Sequence, residues 1–342
     1  MKPIPHVATP SAYLIGPGRL EYSNGGLEYR RATTTLVRFQ LSAVRTVMCY
    51  GPVNVTHRAM AAMARRRVHL VWFARRTGSF IGRLDVLHGG GTLLRGTQHR
   101  VIDDPECCLE LARPIVARKI ASQKTALRHF QRHGAKDLGK LIRKLGAFIH
   151  RAQQTSSREN LRGIEGMATA AWYKAWRGLL RQPWEFRRRT RRPPKDPVNA
   201  LLSLGYMLLL HRMLSIIQAQ GMEPYLGCLH TYRAGRPSPA CDLIEPHRVP
   251  AVDRWVLSIC NQKRVSTDHF EQTNRNGVRL TSEAWPLVIT SWEQNAEAIG
   301  LWASCEKEVR DFVERLKRHC PPIASKRTTG PVKTNGRPVR TR

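Results

Sequence analysis

His88-Gly89-Gly90-Gly91 divides the chain. Three successive glycines weaken helix and strand alike, because each has so much backbone freedom to lose. Upstream, the hairpin signature Gly18–Tyr22, Asn24-Gly25-Gly26, Leu27–Arg31 is followed by short β-branched or aromatic runs at Leu36–Phe39 and Val44–Tyr50. Gly51-Pro52 stops the second run. Thr56 then caps a helix from His57 to Arg67 with Met60, Met63 and Ala64 on one face, and Val68–Ala74 and Ser79–Leu84 read as two further strands. Downstream, strand signals all but vanish. Asp104-Pro105 opens a long helix reaching about His129, and others are expected over Leu138–Ala152, from the capping-box spacing Ser156–Glu159 to about Leu180, and over Asn199–Gln220 and Val252–Gln262. A last one, Ser282–Arg318, is broken near Pro286 or Gly300. The predicted fold is α+β: a small N-terminal β-sheet domain (1–87), a linker (88–103), a larger all-α domain (104–320) and a basic, disordered tail (321–342).

The charge balance narrows the function. Among 342 residues, 57 Lys and Arg face 25 Asp and Glu, a net charge of +32, and 44 of the cations are Arg. Such a field calls for a polyanionic partner, and the guanidinium fork suits bidentate phosphate contacts. Nucleic acid is favoured over a membrane surface, since the arginines are spread along the chain rather than gathered on one amphipathic helix. The most apolar stretch, Ala200–Leu210, ends at His211-Arg212 and falls short of the roughly 18 residues of a membrane span. The first fifteen residues lack the apolar core of a secretory signal, and the eight cysteines form no CxxC pair, so reduced thiols and a cytoplasmic location are expected. Two cationic segments are candidate DNA contacts: the Pro-interrupted loop bearing Arg187, Arg188, Arg189, Arg191 and Arg192, and the acid-free tail.

In so basic a chain the scarce acids mark where chemistry could reside, because carboxylates near DNA repel it unless they hold a cation. Leu161-Arg162-Gly163-Ile164-Glu165-Gly166 places a carboxylate between two helix-weakening glycines, which suggests a close approach to the backbone. Taken alone, tight helix packing with Glu165 as an exposed acid accounts for it better. Pro224–His230 is an apolar segment ending in one histidine, which is also what a satisfied core histidine looks like. In Ala240–Arg248, Asp242 and Glu245 share a face if the start is helical, and their repulsion would favour a cation; acids complementing a helix N-terminus are the alternative. Cys228, His230, Cys241 and His247 are zinc-type ligands without paired-knuckle spacing. No HExxH, Walker motif or nucleophile elbow occurs.

Four of these segments in order, Leu161–Gly166, Asp196–Tyr206, Met222–His230 and Gly235–Glu245, closely resemble the CRISPR adaptation integrase family, as do Gly51-Pro52-Val53 and Gly78–Arg83 in the sheet domain. The resemblance spans roughly residues 11 to 320. It implies a homodimerising β domain and a helical domain holding Mg2+ or Mn2+ through Glu165, His230 and Glu245, with Asp242 as an accessory acid. It further implies a metal-dependent endonuclease and integrase that inserts short double-stranded DNA fragments into a CRISPR array, two dimers being bridged by a small second adaptation protein. A 3′-hydroxyl attacks a phosphodiester, so one ester replaces another. Arg233, Arg236 and Arg248 lie beside these motifs as candidate phosphate contacts. Pro239, Cys241 and His247 depart from the family pattern without removing an expected ligand. A mobile-element integrase acting without the bridging partner, and a non-catalytic DNA-binding architectural protein, are the competing readings.

Overall fold

The computed structural model describes residues 6–8, 10–74, 80–84, 91–181, 183–231, 233–274 and 276–319. The tail expected at 321–342 lies outside them, as does the Gly89–Gly90 part of the dividing segment.

Two sheets form the N-terminal part. One has the order β1-β2-β6-β8-β9, from β1 (His6–Ala8), β2 (Ser11–Ile15), β6 (Thr46–Tyr50), β8 (His69–Phe73) and β9 (Phe80–Leu84). Its three central strands are parallel and its edges antiparallel. The other runs β5-β4-β3-β7, from β3 (Gly18–Ser23), β4 (Gly26–Arg31), β5 (Thr34–Gln40) and β7 (Val53–Val55). The turn between β3 and β4 has Asn24 and Gly25 at φ of 49° and 79°, the positive pair that a tight hairpin with matching twist needs. Helix α1 (His57–Arg65) is capped as expected: Thr56 Oγ1 accepts from Ala59 N.

Side-chain alternation in the five-stranded sheet explains how the two halves join. Ala12, Leu14, Val47, Cys49 and Leu70 face a core shared with Leu20, Leu27 and Phe39 of the second sheet and Met63 of α1. The alternate residues Tyr13, Met48, Tyr50, Val71 and Phe73 face the helical core. A sheet covered on both sides explains why β6 is buried at every position. The seam is also polar. Tyr13 Oη donates to Glu293, whose carboxylate takes Arg212 at 2.9 and 3.0 Å, while Tyr50 packs on Trp285 at 4.7 Å.

The C-terminal part contains α2 (Thr92–Asp103), α3 (Pro105–Arg132), α4 (Gly139–Gln154), α5 (Arg158–Arg177), α6 (Pro197–Ala219), α7 (Ser238–Leu243), α8 (Arg254–Asn261), α9 (Trp285–Ala298) and α10 (Leu301–His319). Asp104 caps α3 through Glu106 N and Cys107 N, and Gly300, at φ 59°, separates α9 from α10. Three expectations need correction. The supposed linker 88–103 carries α2, which buries Thr97, Gln98, Val101 and Ile102; Gln98 Nε2 bonds the carbonyls of Glu223 and Leu226. The region is not all-α: β10 (Phe270–Gln272) and β11 (Val278–Leu280) pair as a short hairpin that buries Val278 and Leu280. Finally, the apolar run does not end at His211-Arg212, because buried Met213, Leu214, Ile216 and Ile217 continue it and Arg212 pairs with Glu293, while the helix expected over Asn199–Gln220 is observed as a buried one. By length and composition α6 is the one helix among the described residues able to cross a membrane, yet 72% of its most apolar window is buried. The seven described cysteines are all free.

Candidate active site

Helix α3, helix α5 and the turn after α7 bring two of the predicted acids, Glu165 and Glu245, to one point. Helix α5, capped by Ser157 Oγ on Asn160 N, buries Leu161, Ile164, Ala168 and Trp172, and Glu165 stands beside that stripe. The buried stripe of α3 runs Ile115, Val116, Lys119, Ile120 and Gln123, so a lysine occupies an apolar helix position. Lys119 is 3% exposed. Its Nζ is ion-paired with Glu165 Oε1 and lies 2.5 Å from Glu245 Oε2. Two carboxylates from motifs eighty residues apart in the chain thus converge on one nitrogen. Thr169 Oγ1 also donates to Glu165 Oε1, at 3.0 Å.

Glu245 opens the single 3-10 turn that follows α7. Its Oε1 accepts from Arg248 Nη1 at 2.8 Å, whereas Oε2 is buried and makes no hydrogen bond of acceptable geometry. Burial disfavours its charge, but Arg248 and Lys119 outweigh that penalty and hold its pKa down at about 2. The acid is ionised at any ordinary pH.

Asp242 is turned toward the His230 segment rather than paired with Glu245. Helix α7 ends at Leu243, so Asp242 and Glu245 do not share a helical face. The Asp242 Oδ2 accepts from Cys228 N at 2.7 Å and Leu229 N at 2.9 Å, and Oδ1 from His230 N at 3.1 Å and His230 Nδ1 at 2.5 Å. This carboxylate shapes the segment that ends in His230 and fixes its ring, leaving Nε2 as the nitrogen not engaged with Asp242. Burial opposes protonation of His230, yet the bond to Asp242 and the fields of Asp242 and Glu245 prevail, and its pKa is raised.

A buried aromatic layer backs the acids. The Arg248 guanidinium lies 4.1 Å over the Tyr206 ring; Tyr206 Oη donates to Asp253 Oδ1 and contacts Tyr173 Oη at 2.6 Å. Trp172 Nε1 donates to Asp253 Oδ2 at 2.8 Å. Arg248 is therefore held inside the site. Sequence reasoning passed over Lys119, Tyr206 and Asp253; for Lys119 the signal was a cation within the apolar stripe of a long helix.

A Cβ at Gly163 or Gly166 would meet nothing within 4 Å, so no packed neighbour explains the glycines around Glu165. Gly227 is the tight position, where a Cβ would stand 2.7 Å from the Ser238 carbonyl carbon. The zinc alternative does not assemble: His247 Nε2 lies 3.6 Å from Glu308 Oε2, and Cys228 is buried with its carbonyl accepting from Cys108 Sγ. In the basic loop, Arg189 is committed internally, bonding Asn199 Oδ1 at 2.8 Å and Ser203 Oγ at 2.9 Å. Arg187, Arg188, Arg191, Arg192 and Arg233 are exposed, and Arg236 is half-buried.

Among the described residues no three His, Cys, Asp or Glu side chains stand grouped to hold an ion as they are placed, and Lys119 stands between Glu165 and Glu245. The donor set nonetheless suits a hard divalent cation: two carboxylates aimed at one point, one with an unbonded buried oxygen, and an imidazole oriented by a carboxylate.

Residues 12–294 match the family model described as CRISPR associated protein Cas1. The chain belongs to the Cas1 family. It is 34% identical over 275 residues to the CRISPR-associated endonuclease Cas1 2 of Rhodospirillum rubrum, covering 75% of this chain and 77% of that one. It is likewise 34% identical over 264 residues to Cas1 3 of Thermus thermophilus, covering 77% of each. In structure it resembles a Cas1 protein from Thermotoga maritima with a TM-score of 0.79 at 25% identity, over 90% of this chain and 96% of that one. A casposase bound to an integration product shares the fold, with a TM-score of 0.76 at 18% identity over 90% of this chain and 91% of that one. The Cas1 match takes in both sheets apart from β1 and the first residue of β2, together with Lys119, Glu165, His230, Asp242 and Glu245.

Proposed function

We propose that this chain is a divalent-metal-dependent DNA integrase and endonuclease of CRISPR adaptation. The observation that carries the reading is the convergence of Glu165 and Glu245 on a single point, with Asp242 fixing His230 in the same site, within a chain of net charge +32. The relatives' names as Cas1 endonucleases support it.

Glu165, His230 and Glu245 would hold Mg2+ or Mn2+, which when bound stabilises charge on a phosphoryl oxygen and acidifies a hydroxyl. Asp242 keeps the His230 Nδ1 proton engaged, so that Nε2 presents its lone pair. Arg248, pinned by Glu245 and Tyr206, places a fixed positive charge beside the acids, where charge develops on phosphorus. The oxygen of a fragment 3′-hydroxyl forms the new bond to phosphorus, the target's P–O3′ bond breaks, and the proton lost by the attacking hydroxyl is balanced by the one gained on the leaving 3′ oxygen. Since ester replaces ester, no nucleotide cofactor is required. The exposed arginines of the 187–192 loop and Arg233 would bind two mutually repelling DNA segments. We place the chain in a homodimer, two of which are bridged by a small second adaptation protein; part of one chain in a solved Cas6-RT-Cas1–Cas2 complex shares its fold.

The test is strand transfer. Purified protein, 3′-hydroxyl duplex fragments and a repeat-bearing plasmid should yield half-site joining with Mg2+ or Mn2+, abolished by Glu165→Ala and by His230→Ala. Joining that persists in both variants refutes the site. Joining by the chain without any bridging partner favours a mobile-element type of integrase, and salt-sensitive DNA binding with no metal requirement favours an architectural protein.

A further inference from the structure

Lys119 touches both expected metal-binding acids, and the chemistry above leaves it without a task. It is buried, its ammonium lies between the two acids expected to bind metal, and it comes from α3, a helix that contributes no expected ligand. Two ionised carboxylates directed at each other in a buried site repel strongly unless a positive charge stands between them. Arg248 relieves only one side, through Glu245 Oε1. Lys119 is the cation left to face Glu245 Oε2 and Glu165 Oε1; the latter also accepts from Thr169 Oγ1, whereas Glu245 Oε2 has no hydrogen bond of acceptable geometry. A lysine is suited to temporary occupancy, being a point charge on a flexible four-carbon stem; the planar fork of Arg248, stacked on Tyr206, is not.

We propose that the Lys119 ammonium and the divalent cation are alternative occupants of the Glu165–Glu245 carboxylate pair, so that loading the site displaces the lysine. This deepens, and rests on, the metal-dependent reading of the site. The tethered ammonium keeps the acids in register and neutralised before loading, and it sets a threshold that a divalent ion must overcome. Lys119 is then a positioning residue for the unloaded state and a competitor of the ion.

Mn2+ binding to the full chain, followed by the loss of the free-ion paramagnetic resonance signal, tests this without measuring activity. Lys119→Met should lower the metal-free Tm by roughly 5–10 °C, since buried Glu245 and half-buried Glu165 lose their shared cation. It should also tighten Mn2+ binding on the order of tenfold, and Mn2+ should raise its Tm by more than it raises that of the wild type. A folded Lys119→Met protein that binds Mn2+ as the wild type does, or more weakly, overturns the proposal. Should the metal reading itself be wrong, the pattern differs: neither protein binds Mn2+. If Lys119→Met does not fold, amine acylation of the wild type, mapped by mass spectrometry, reads the same displacement. Lys119 should be protected without Mn2+ and labelled faster with it, and equal labelling overturns the competition.

Discussion

The Asp242 carboxylate holds His230 Nδ1 at 2.5 Å while accepting the backbone N–H groups of Cys228, Leu229 and His230 itself. One buried acid therefore shapes the chain leading to the histidine and chooses which ring nitrogen stays free. Asp242→Asn would turn an amide N–H toward groups that need an acceptor, at a cost of about 2–4 kcal/mol. Because Asp242 raises the His230 pKa, that pKa should fall in the variant, as read by the imidazole proton resonances. An unchanged His230 titration would show that the contact does not govern the ring.

Glu308 gives an acid-stability prediction away from the reacting groups. Burial would raise its pKa, but His247 and Arg118, the latter with Nη1 at 2.6 Å, hold it down at about 2 against an ordinary 4.5. A depressed folded-state pKa adds stability that is complete above about pH 4.5 and is lost as pH falls toward 2. Glu308→Gln should therefore cost on the order of 2 kcal/mol at pH 6, with the deficit shrinking as urea melts are taken from pH 5 to pH 2.5.

The glycines separate into two kinds. Gly227→Ala forces a methyl group against the Ser238 backbone and the Asp242 carboxylate, so a loss of roughly 2–4 kcal/mol and of metal-dependent activity is expected. Gly163→Ala adds a methyl group to open space on an exposed helix position, and thermal melts should show stabilisation of up to about 1 kcal/mol.

Arginines of one loop should behave differently. Arg189→Ala removes the bonds to Asn199 and Ser203 and should lower Tm. Alanine at exposed Arg187, Arg188, Arg191 or Arg192 should leave Tm nearly unchanged, weaken DNA binding, and reduce the salt dependence by about 0.9 per lost phosphate contact, as read by fluorescence anisotropy across a salt series. A uniform response of all five would contradict the structural distinction.

Local rules made much of this molecule legible before folding. The Asn24-Gly25 hairpin, the Thr56 and Asp104 caps and the Gly300 break each depend on residues a few positions apart, and each appears in the structure. The split into sheets and helices followed from hydrophobic periodicity, and the charge excess followed from counting. The β10–β11 hairpin and helix α2 escaped notice because three-residue strands and a helix without a side-chain cap carry little local signal.

The sequence by itself determined most of the strands and long helices, the strongly positive field, and the ordered motifs holding Glu165, His230, Asp242 and Glu245. Only the tertiary structure decided that Asp242 orients His230, that Arg189 is spent on packing, and that Lys119 joins Glu165 to Glu245. The physical reason is range. Capping and periodicity act within a turn or two of chain, whereas a charge buried between two acids from α5 and the turn after α7 exists only once α3 has packed against both.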